Sequence, residues 1–314
     1  MSFGETFLRY PDLFPARRAG DPWGDRELVL DLPGGPYRFS GLSPGQEEAA
    51  LGRFGDLRLS GAAAGPAAGP AAGSTAVDSV LFRVPEGDFR TIDVRGWNYD
   101  MDLDAEPSSV RLAGLDLMAR YDWRPGLAGA LWTPVAGGER FPGVFENFCR
   151  VLVAYRLHEL GGAVIHGAAV VDEGGAFLFA GPSGAGKTTV SRLGMESGRT
   201  VLSDDLNALL PNGNGGVTLA GLPFTGDLGR SGGGRSIFPL RALLRLEKDD
   251  ADSLRPLSRA EAGACLLACA PFVNADPHRR VELLGNLLAL AVDVRAYALR
   301  FSLSGRLWDI LSTT

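Results

Sequence analysis

Residues 163–205 read AVIHGAAVVDEGGAFLFAGPSGAGKTTVSRLGMESGRTVLSDD, and this stretch decides the fold of the C-terminal half of the chain. Two extended apolar runs, Ala163–Val171 and Ala176–Ala180, are separated by a turn and precede a glycine-rich loop. A helix over Lys187–Ser197 and a strand over Thr200–Ser203 are predicted after the loop. This order of strand, glycine loop, helix, strand and carboxylate pair predicts an α/β fold in which ligands bind at strand ends.

The loop Gly181–Thr188, GPSGAGKT, matches G-x-x-x-x-G-K-[ST], the P-loop or Walker A pattern, between a strand and a helix. Its glycines allow backbone N–H groups and the helix N-terminus to face phosphate oxygens. Lys187 is expected to bridge the β- and γ-phosphates of ATP, and Thr188 to offer its hydroxyl to Mg²⁺. The alternative is a glycine-rich turn before an ordinary helix. The predicted nucleotide-binding residues are Gly181, Ser183, Gly184, Ala185, Gly186, Lys187, Thr188 and Thr189.

Two carboxylates, Asp204 and Asp205, follow the strand after the loop's helix. One carboxylate at such a position can hold Mg²⁺, while another accepts the proton of an attacking hydroxyl. We assign Asp204 to the metal and Asp205 to the base role. The alternative is that one or both cap a turn or a helix, as Asp often does after a strand.

Three further residues are catalytic candidates. His166 lies in the apolar strand before the loop, where the residues alone favour a satisfied core histidine. Arg230 and Arg235 stand in the glycine-rich segment Gly226–Arg235, and either is a candidate to neutralise charge on a transferred phosphoryl group. The alternative for both arginines is a solvent-exposed loop.

The first 140 residues predict a β-rich domain, because short apolar runs alternate with turn residues. Residues 61–76 repeat Gly, Pro and Ala without a large apolar side chain, which predicts a disordered surface loop. Residues 141–314 form the second predicted domain. The predicted N-terminal strands are Glu27–Leu32, Tyr37–Ser40, Arg53–Leu59, Ser79–Val84 and Phe89–Val94. The remaining predicted elements are a helix over Phe141–Leu160, a strand over Phe238–Leu246, helices over Ser258–Cys269 and Arg280–Asp293, and a strand over Val294–Phe301.

Composition narrows the class of partner and the compartment. The net charge is −6 and the pI is near 5.2, which argues against a broad electrostatic grip on nucleic acid or an anionic membrane. No apolar run of transmembrane length and no signal-peptide pattern is present in the sequence, so a cytoplasmic location is expected. Cys149, Cys265 and Cys269 sit in apolar surroundings and are interpreted as buried thiols.

The stretch IHGAAVVDEGGAFLFAGPSGAGKTTVSRL, followed by RTVLSDDLNAL, resembles the catalytic core of HPr kinase/phosphorylase. In that family a strand His-Gly, a G-x-x-G-x-G-K-[ST] loop and an Asp-Asp pair occur in the same order. The loop and the Asp pair are also similar to ATP-dependent phosphoenolpyruvate carboxykinase, which shares the P-loop topology. The segments FPLRALLRLEKDDADSLRPLSRAEA and RAYALRFSLSGRLWDIL resemble HPr-kinase-like proteins, some of which accompany peptide-modification systems.

This resemblance implies a P-loop kinase core of the HPr kinase and phosphoenolpyruvate carboxykinase type, joined to a β-rich N-terminal domain. It places His166 beside the γ-phosphate and the Asp pair, suggests a serine hydroxyl as acceptor, and makes a homo-oligomer an expectation. Two features differ from HPr kinase. No recognisable counterpart of its glycine-rich signature follows the Asp pair, and the N-terminal part does not resemble its N-terminal domain. The identity of the acceptor is therefore open.

We therefore expect a Mg²⁺-dependent ATP phosphotransferase that acts on a hydroxyl of a protein, a peptide or a small molecule. The N-terminal domain is expected to recognise this acceptor. A nucleotide-gated binding or assembly module without phosphotransfer is the main alternative, since ATP can shift the population of a loop and so change partner affinity. A hydrolytic ATPase is a third hypothesis.

Overall fold

The computed structural model describes residues 21–60, 76–84, 101–123, 126–229, 236–248, 253–301 and 307–312. The chain divides into two compact units, Met1–Leu152 and Val153–Thr314. The boundary lies within a helix, whereas the sequence placed it before Phe141. The predictions for residues 61–75, for the strand Phe89–Val94 and for Arg230 and Arg235 lie outside the described residues.

The first unit contains a seven-stranded mixed sheet with the strand order β1-β2-β3-β7-β6-β5-β4. The β2–β3 and β3–β7 pairs are parallel, and the other pairs are antiparallel. The sequence therefore predicted a β-rich unit correctly, and its described strands near Glu27, Tyr37 and Ser79 are confirmed. The strands are β1 Arg26–Leu32, β2 Gly35–Leu42, β3 Val77–Arg83, β4 Asp102–Glu106, β5 Ser109–Gly114, β6 Leu117–Asp122 and β7 Ala128–Thr133.

The predicted strand Arg53–Leu59 is wrong. Its first residues end helix α1, Pro44–Phe54, and Gly55–Leu57 form a 3₁₀ turn. The helix starts at a capping box, in which the Ser43 hydroxyl and the Gln46 side chain each accept a hydrogen bond from the other residue's backbone N–H. The cap lies seven residues or more upstream of the apolar residues that suggested a strand, so the local pattern of Arg53–Leu59 gave no sign of it.

The second unit contains an eight-stranded mixed sheet, and helices lie between several of its strands in sequence. Apart from β11, β12 and β14, the described strands match predicted ones, and all the predicted helices are present with ends shifted by up to three residues. The strands are β8 Ala163–Asp172, β9 Gly175–Ala180, β10 Thr200–Ser203, β11 Leu206–Pro211, β12 Val217–Gly221, β13 Ile237–Lys248, β14 Ser253–Pro256 and β15 Arg295–Phe301. The helices are α2 Phe141–Glu159, which crosses the unit boundary, α3 Lys187–Glu196, α4 Arg259–Cys269, α5 Arg280–Leu290 and α6 Leu307–Leu311.

Strands β8 and β13 each pair with different partners along their length. The first residues of β8 pair with β11, and its later residues pair with β9 and β10. The pairings β8–β11, β11–β12, β12–β13, β13–β9 and β9–β8 therefore form a closed ring. Only β13–β9 and β13–β15 are parallel pairs among the described strands of this unit. This arrangement brings the ends of β9 and β10 to opposite sides of β8.

A buried apolar cluster fixes α3 against the sheet. Val190 of α3, Phe179 of β9 and Trp308 of α6 belong to this cluster, and Phe179 meets Trp308 edge to face at 6.1 Å between ring centroids. The Trp308 indole N–H also donates to the Leu193 carbonyl at 3.3 Å. Because α3 begins at the end of the glycine-rich loop, this packing also holds one end of that loop. Among the helices that the structure describes, none is long and apolar enough to span a membrane.

A buried polar network joins α2 to the segment before α5. Asp276 is fully buried, and one of its oxygens accepts from the Arg279 guanidinium at 2.7 Å and from the Tyr155 hydroxyl at 3.1 Å. Its other oxygen accepts from the His278 backbone N–H at 2.8 Å. Burial, and next the Asp276 charge, raise the pKa of Tyr155 far above its ordinary value, so the phenol stays protonated and donates. Asp276 is therefore a buried carboxyl group that accepts hydrogen bonds from three donors.

We expect Asp276→Asn to destabilise the protein by about 3–5 kcal/mol, because it leaves the buried Arg279 guanidinium without its counter-charge. Arg255→Gln, which removes an ion pair whose side chains are 56% and 38% exposed, is the matched control and should cost about 1 kcal/mol or less. Urea unfolding followed by circular dichroism measures both. Equal losses for the two variants would show that the Asp276 network does not stabilise the fold.

Candidate functional site

The loop Gly181–Thr188 connects the end of β9 to the start of α3, as the sequence predicted. Gly184 and Gly186 have φ values of 73° and 111°, a region that side chains with a Cβ rarely adopt. The Ala185 N–H donates to the Pro182 carbonyl at 3.1 Å, which closes the turn. Gly186 is the N-cap of α3 and has no side chain to bond the first helical N–H groups. This helix end can therefore attract an anion.

Lys187 is folded over the loop that precedes it. Lys187 is only 9% exposed. Its ammonium donates to the Gly181 carbonyl at 2.9 Å and to the Pro182 carbonyl at 3.0 Å. Both of these acceptors are neutral carbonyls, and neither is a carboxylate. An anionic oxygen is a stronger acceptor for an ammonium than a carbonyl, so a bound phosphate would compete for this group.

The other predicted loop residues surround this ammonium to different degrees. Gly181 and Ala185 are buried, Ser183 and Gly184 are exposed, and Gly186, Thr188 and Thr189 are partly exposed. Replacing Gly186 by a larger residue would bring a Cβ within 3.0 Å of the Phe301 ring. The loop is therefore shaped by close packing on one side and is open on the other.

Gly167 brings the loop and the Asp pair together. In the β8–β9 pairing it lies opposite Ala180, the residue before the loop, and its N–H donates to the Asp205 carbonyl at 2.8 Å. A Cβ at Gly167 would stand 2.8 Å from the Phe179 carbonyl oxygen, so the position tolerates no side chain without a backbone shift. The buried Asn207 amide donates to the Gly167 carbonyl at 2.7 Å. Sequence reasoning missed Asn207, because a single Asn in an apolar strand carries no motif.

His166 and Asp205 are neighbours across β8 and β11. The distance from His166 Nδ1 to Asp205 Oδ1 is 3.6 Å, which is an ion-pair distance if the imidazole is protonated and too long for a hydrogen bond. His166 is exposed in a strand whose flanking residues are buried, and 47% of its side chain is accessible. The core-histidine interpretation is therefore wrong. The Asp205 side chain is 16% exposed, and its backbone N–H donates to the Ser203 hydroxyl at 3.1 Å.

Asp204 points to a turn that follows β12. It is 7% exposed, and its Oδ2 accepts from the Leu228 N–H at 2.9 Å. A Cβ at Gly226 would overlap Asp204 Oδ1, so the turn approaches this carboxylate closely. The capping role that sequence analysis kept as an alternative is thus observed for Asp204. A carboxylate has further lone pairs, so this bond does not remove its capacity to face a cation.

Asp227, in the same turn, is a site residue that the sequence analysis did not identify. Its Oδ2 accepts from the Thr188 hydroxyl at 3.1 Å, across 39 residues of sequence. One weak signal for Asp227 is present in the sequence, because this residue lies in the glycine-rich segment Gly226–Arg235. A single Asp in a glycine-rich segment matches no motif, so the contact with Thr188 is visible only in the structure.

The donors near Thr188 suit a hard cation that is shared with a ligand. Within the described residues, no group of three or more His, Cys, Asp or Glu side chains is arranged to hold a metal ion. Mg²⁺ commonly binds through one or two carboxylates, waters and substrate phosphates rather than in an all-protein cage. The oxygen groups of Thr188, Asp204 and Asp205 are of the type that Mg²⁺ prefers, and Asp227 contacts the first of them.

Comparisons with known proteins give one family and a distant structural likeness. The family model described as "SynChlorMet cassette protein ScmC" matches residues 145–313, which is more than half of the chain. Among solved structures, the HPr(Ser) kinase/phosphatase from Coxiella burnetii matches with 11% sequence identity, 48% coverage of this chain, 94% coverage of that chain and a TM-score of 0.28. No curated protein matches the chain.

A thiol pair lies beside the loop. Cys265 and Cys269 are one turn apart on α4, and Cys265 is buried whereas Cys269 is partly exposed. A hydrogen bond from the Cys265 thiol, assisted by the Gly181 backbone N–H and the charge of Lys187, lowers the pKa of Cys269 to about 7 against the opposing effect of burial. Burial raises the pKa of the third thiol, Cys149, well above its ordinary range. The expectation of three buried thiols therefore holds for two of them.

We expect Cys269 to react with iodoacetamide as a thiolate, with a labelling rate that reaches half its maximum at about pH 7. The rate should rise with pH because the lowered pKa releases the proton near neutrality. Peptide mass spectrometry after timed labelling locates the modified cysteine, and Lys187→Gln should move the midpoint upward. Cys149 in the native protein is the internal control and should stay unlabelled. A midpoint near pH 9 for Cys269 would show that the loop does not stabilise its thiolate.

Proposed function

The chain belongs to the family described as SynChlorMet cassette protein ScmC, and we propose that it is a Mg²⁺-dependent ATP phosphotransferase with a hydroxyl acceptor. One observation carries the proposal. The Gly181–Thr188 loop, with its buried Lys187 ammonium, lies next to a carboxylate and imidazole pair, Asp205 and His166, through the pairings of Gly167. A phosphate-binding loop beside a general-base candidate is the minimum that phosphoryl transfer requires.

In this proposal the loop binds the polyphosphate. The backbone N–H groups at the start of α3 face the phosphate oxygens, and the Lys187 ammonium leaves the Gly181 and Pro182 carbonyls to bridge the β- and γ-phosphates. Ser183 and Gly184 lie at the exposed face of the loop, where the nucleotide would enter. When bound, Mg²⁺ supplies positive charge that offsets the charge of the β- and γ-phosphates.

Asp205 is proposed to accept the proton of the acceptor hydroxyl. As that O–H bond breaks, the hydroxyl oxygen forms a bond to the γ-phosphorus, and the bond from the γ-phosphorus to the bridging oxygen of ADP breaks. His166, 3.6 Å from the Asp205 carboxylate, would stabilise its charge when protonated and orient it. Asp204 would reach the cation from the position in which it also accepts from the Leu228 N–H. Arg230 and Arg235 remain candidates to neutralise charge on the transferred group.

The acceptor is proposed only as a class, namely a hydroxyl of a protein, a peptide or a small molecule. Recognition of this acceptor by the β-rich first unit, a cytoplasmic location, a homo-oligomeric state and the lack of nucleic-acid or membrane partners are predictions from the sequence. A hydrolytic ATPase also remains a hypothesis.

A second candidate is a nucleotide-gated binding module, and the Thr188–Asp227 hydrogen bond favours it. This bond ties the loop to the turn at Gly226–Gly229, so a ligand on Thr188 would change the turn. A segment whose contact depends on a ligand can control partner affinity without any chemical step. The two candidates share the binding step and differ in the phosphorylated product.

We expect Mg²⁺·ATP to bind the wild type in titration calorimetry, and Lys187→Ala to weaken binding by at least about tenfold through loss of a charged hydrogen bond. Asp205→Asn should keep ATP affinity within about threefold but slow transfer by about 10²-fold or more, since it removes a general base. Phosphorus NMR of the same samples, with serine- and threonine-containing peptides added, detects a phosphomonoester. Arg192→Ala, an exposed cation on the same helix as Lys187, is the matched control.

The outcomes separate the candidates. Binding that depends on Lys187, together with a phosphomonoester signal that depends on Asp205, supports the phosphotransferase. Binding that depends on Lys187 without a product from any added hydroxyl favours the nucleotide-gated module, and free phosphate alone favours the hydrolase. A wild type that does not bind ATP with or without Mg²⁺ would overturn all three.

A further inference from the structure

The Thr188 hydroxyl has a defined orientation in this structure because its proton is donated to one acceptor, Asp227. A hydroxyl has one proton to donate and two lone pairs to accept with. Asp227 Oδ2 lies 3.1 Å from Thr188 Oγ1, and an ionised carboxylate only accepts, so Thr188 is the donor. Donation toward Asp227 leaves the lone pairs of Thr188 pointing elsewhere. A cation that binds this hydroxyl oxygen would do so through one of these lone pairs.

The turn that carries Asp227 is held in place by contacts unrelated to Thr188. Gly226 and Gly229 exchange backbone hydrogen bonds of 3.4 and 3.1 Å, and Gly229 has a φ of 84° that favours glycine. The Leu228 N–H donates to Asp204 Oδ2 at 2.9 Å. A carboxylate of the Asp pair thus fixes the turn, and the turn directs Asp227 back to the start of α3.

The charge of Asp227 acts in opposite directions on the two forms of a nucleotide. Asp227 is exposed and adds a negative charge beside the hydroxyl of the residue that follows Lys187. A metal-free polyphosphate is repelled by this carboxylate, whereas a polyphosphate that carries a divalent cation is attracted through the cation. A carboxylate at this place therefore discriminates between free and cation-bound nucleotide.

We infer that Asp227 is a positioning residue that orients the Thr188 hydroxyl toward the nucleotide's divalent cation, and so makes the site selective for Mg²⁺·ATP over free ATP. This inference rests on the proposed nucleotide site and names its specificity. Asp227 acts through Thr188, in the way that an outer-shell carboxylate fixes a ligand that itself contacts the metal. Asp204 contributes by anchoring the turn.

A structural role for Asp227 makes a different prediction. A carboxylate near the N-terminus of α3 also stabilises the helix dipole, and its loss then weakens the loop as a whole. In that case the affinities for free ATP and for Mg²⁺·ATP fall together. The inferred role requires that the two affinities change in opposite directions or that only the Mg²⁺ form is affected.

The test compares wild type, Asp227→Asn and the matched control Asp293→Asn, which removes an exposed carboxylate elsewhere in the same unit. Titration calorimetry measures ATP binding in excess Mg²⁺ and, separately, in EDTA. For Asp227→Asn we expect affinity for Mg²⁺·ATP to fall by about 10–100-fold, the usual loss for an outer-shell partner. Affinity for free ATP should stay equal or rise, because a repulsive charge is gone. Asp293→Asn should match the wild type in both titrations.

A double-mutant cycle with Thr188→Val tests whether Asp227 acts through the hydroxyl. In that background Asp227→Asn should cost clearly less Mg²⁺·ATP affinity than it does in the wild type, because only the direct effect of its charge remains and coupled residues are non-additive. Wild type that binds Mg²⁺·ATP no more tightly than Asp227→Asn overturns the inference and leaves the proposed function standing. Equal losses for both nucleotide forms, or full additivity with Thr188→Val, also overturn it. A wild type that does not bind ATP in either titration overturns the proposed function and this inference with it.

Discussion

The candidate site depends on a glycine that no phosphate motif contains. Gly167 has the loop's first neighbour, Ala180, on one side and the Asp205 carbonyl on the other. A Cβ at this position would stand 2.8 Å from the Phe179 carbonyl and 2.9 Å from Leu178 Cδ1, so only glycine lets both neighbours approach. Two further polar groups of the site lie directly beside this glycine. The Asn207 amide holds the Gly167 carbonyl, and His166 reaches Asp205 because it precedes Gly167 in β8.

The fold supports this arrangement because one strand, β8, pairs with different strands along its length. The first residues of β8 pair with β11, which follows the Asp pair, and the later ones pair with β9, which leads into the loop. The phosphate loop and the Asp pair, which α3 and β10 separate in sequence, thus flank a single strand. The apolar cluster around Phe179, Val190 and Trp308 then holds α3, and with it Lys187 and Thr188, against the same strands. The polar site therefore rests on buried packing whose loss would separate its parts.

How much the sequence could predict follows from how local each signal is. The strand, loop and helix around Gly181–Thr188 are encoded by adjacent residues, and the structure has them where the sequence placed them. The Asp204–Leu228 and Thr188–Asp227 contacts join residues 24 and 39 positions apart, and no periodicity records such contacts. The strand predicted over Arg53–Leu59 failed for a related reason. Its apolar spacing fits a strand, but its first two residues end a helix that begins at the Ser43 cap upstream, and a 3₁₀ turn follows.

The three carboxylates at the site make different contacts. Asp204 accepts a hydrogen bond from the Leu228 N–H and so fixes the turn. The Asp227 carboxylate accepts from the Thr188 hydroxyl, and the Asp205 carboxylate faces His166. Asp204 and Asp227 meet at the same turn, where like charges repel in the absence of a cation. The buried Lys187 ammonium donates to the Gly181 and Pro182 carbonyls. A polyphosphate alone would increase this repulsion, while one that carries a divalent cation would relieve it. The proposed Mg²⁺·ATP ligand, in which phosphate and cation arrive together, is the one that this charge pattern would accommodate best.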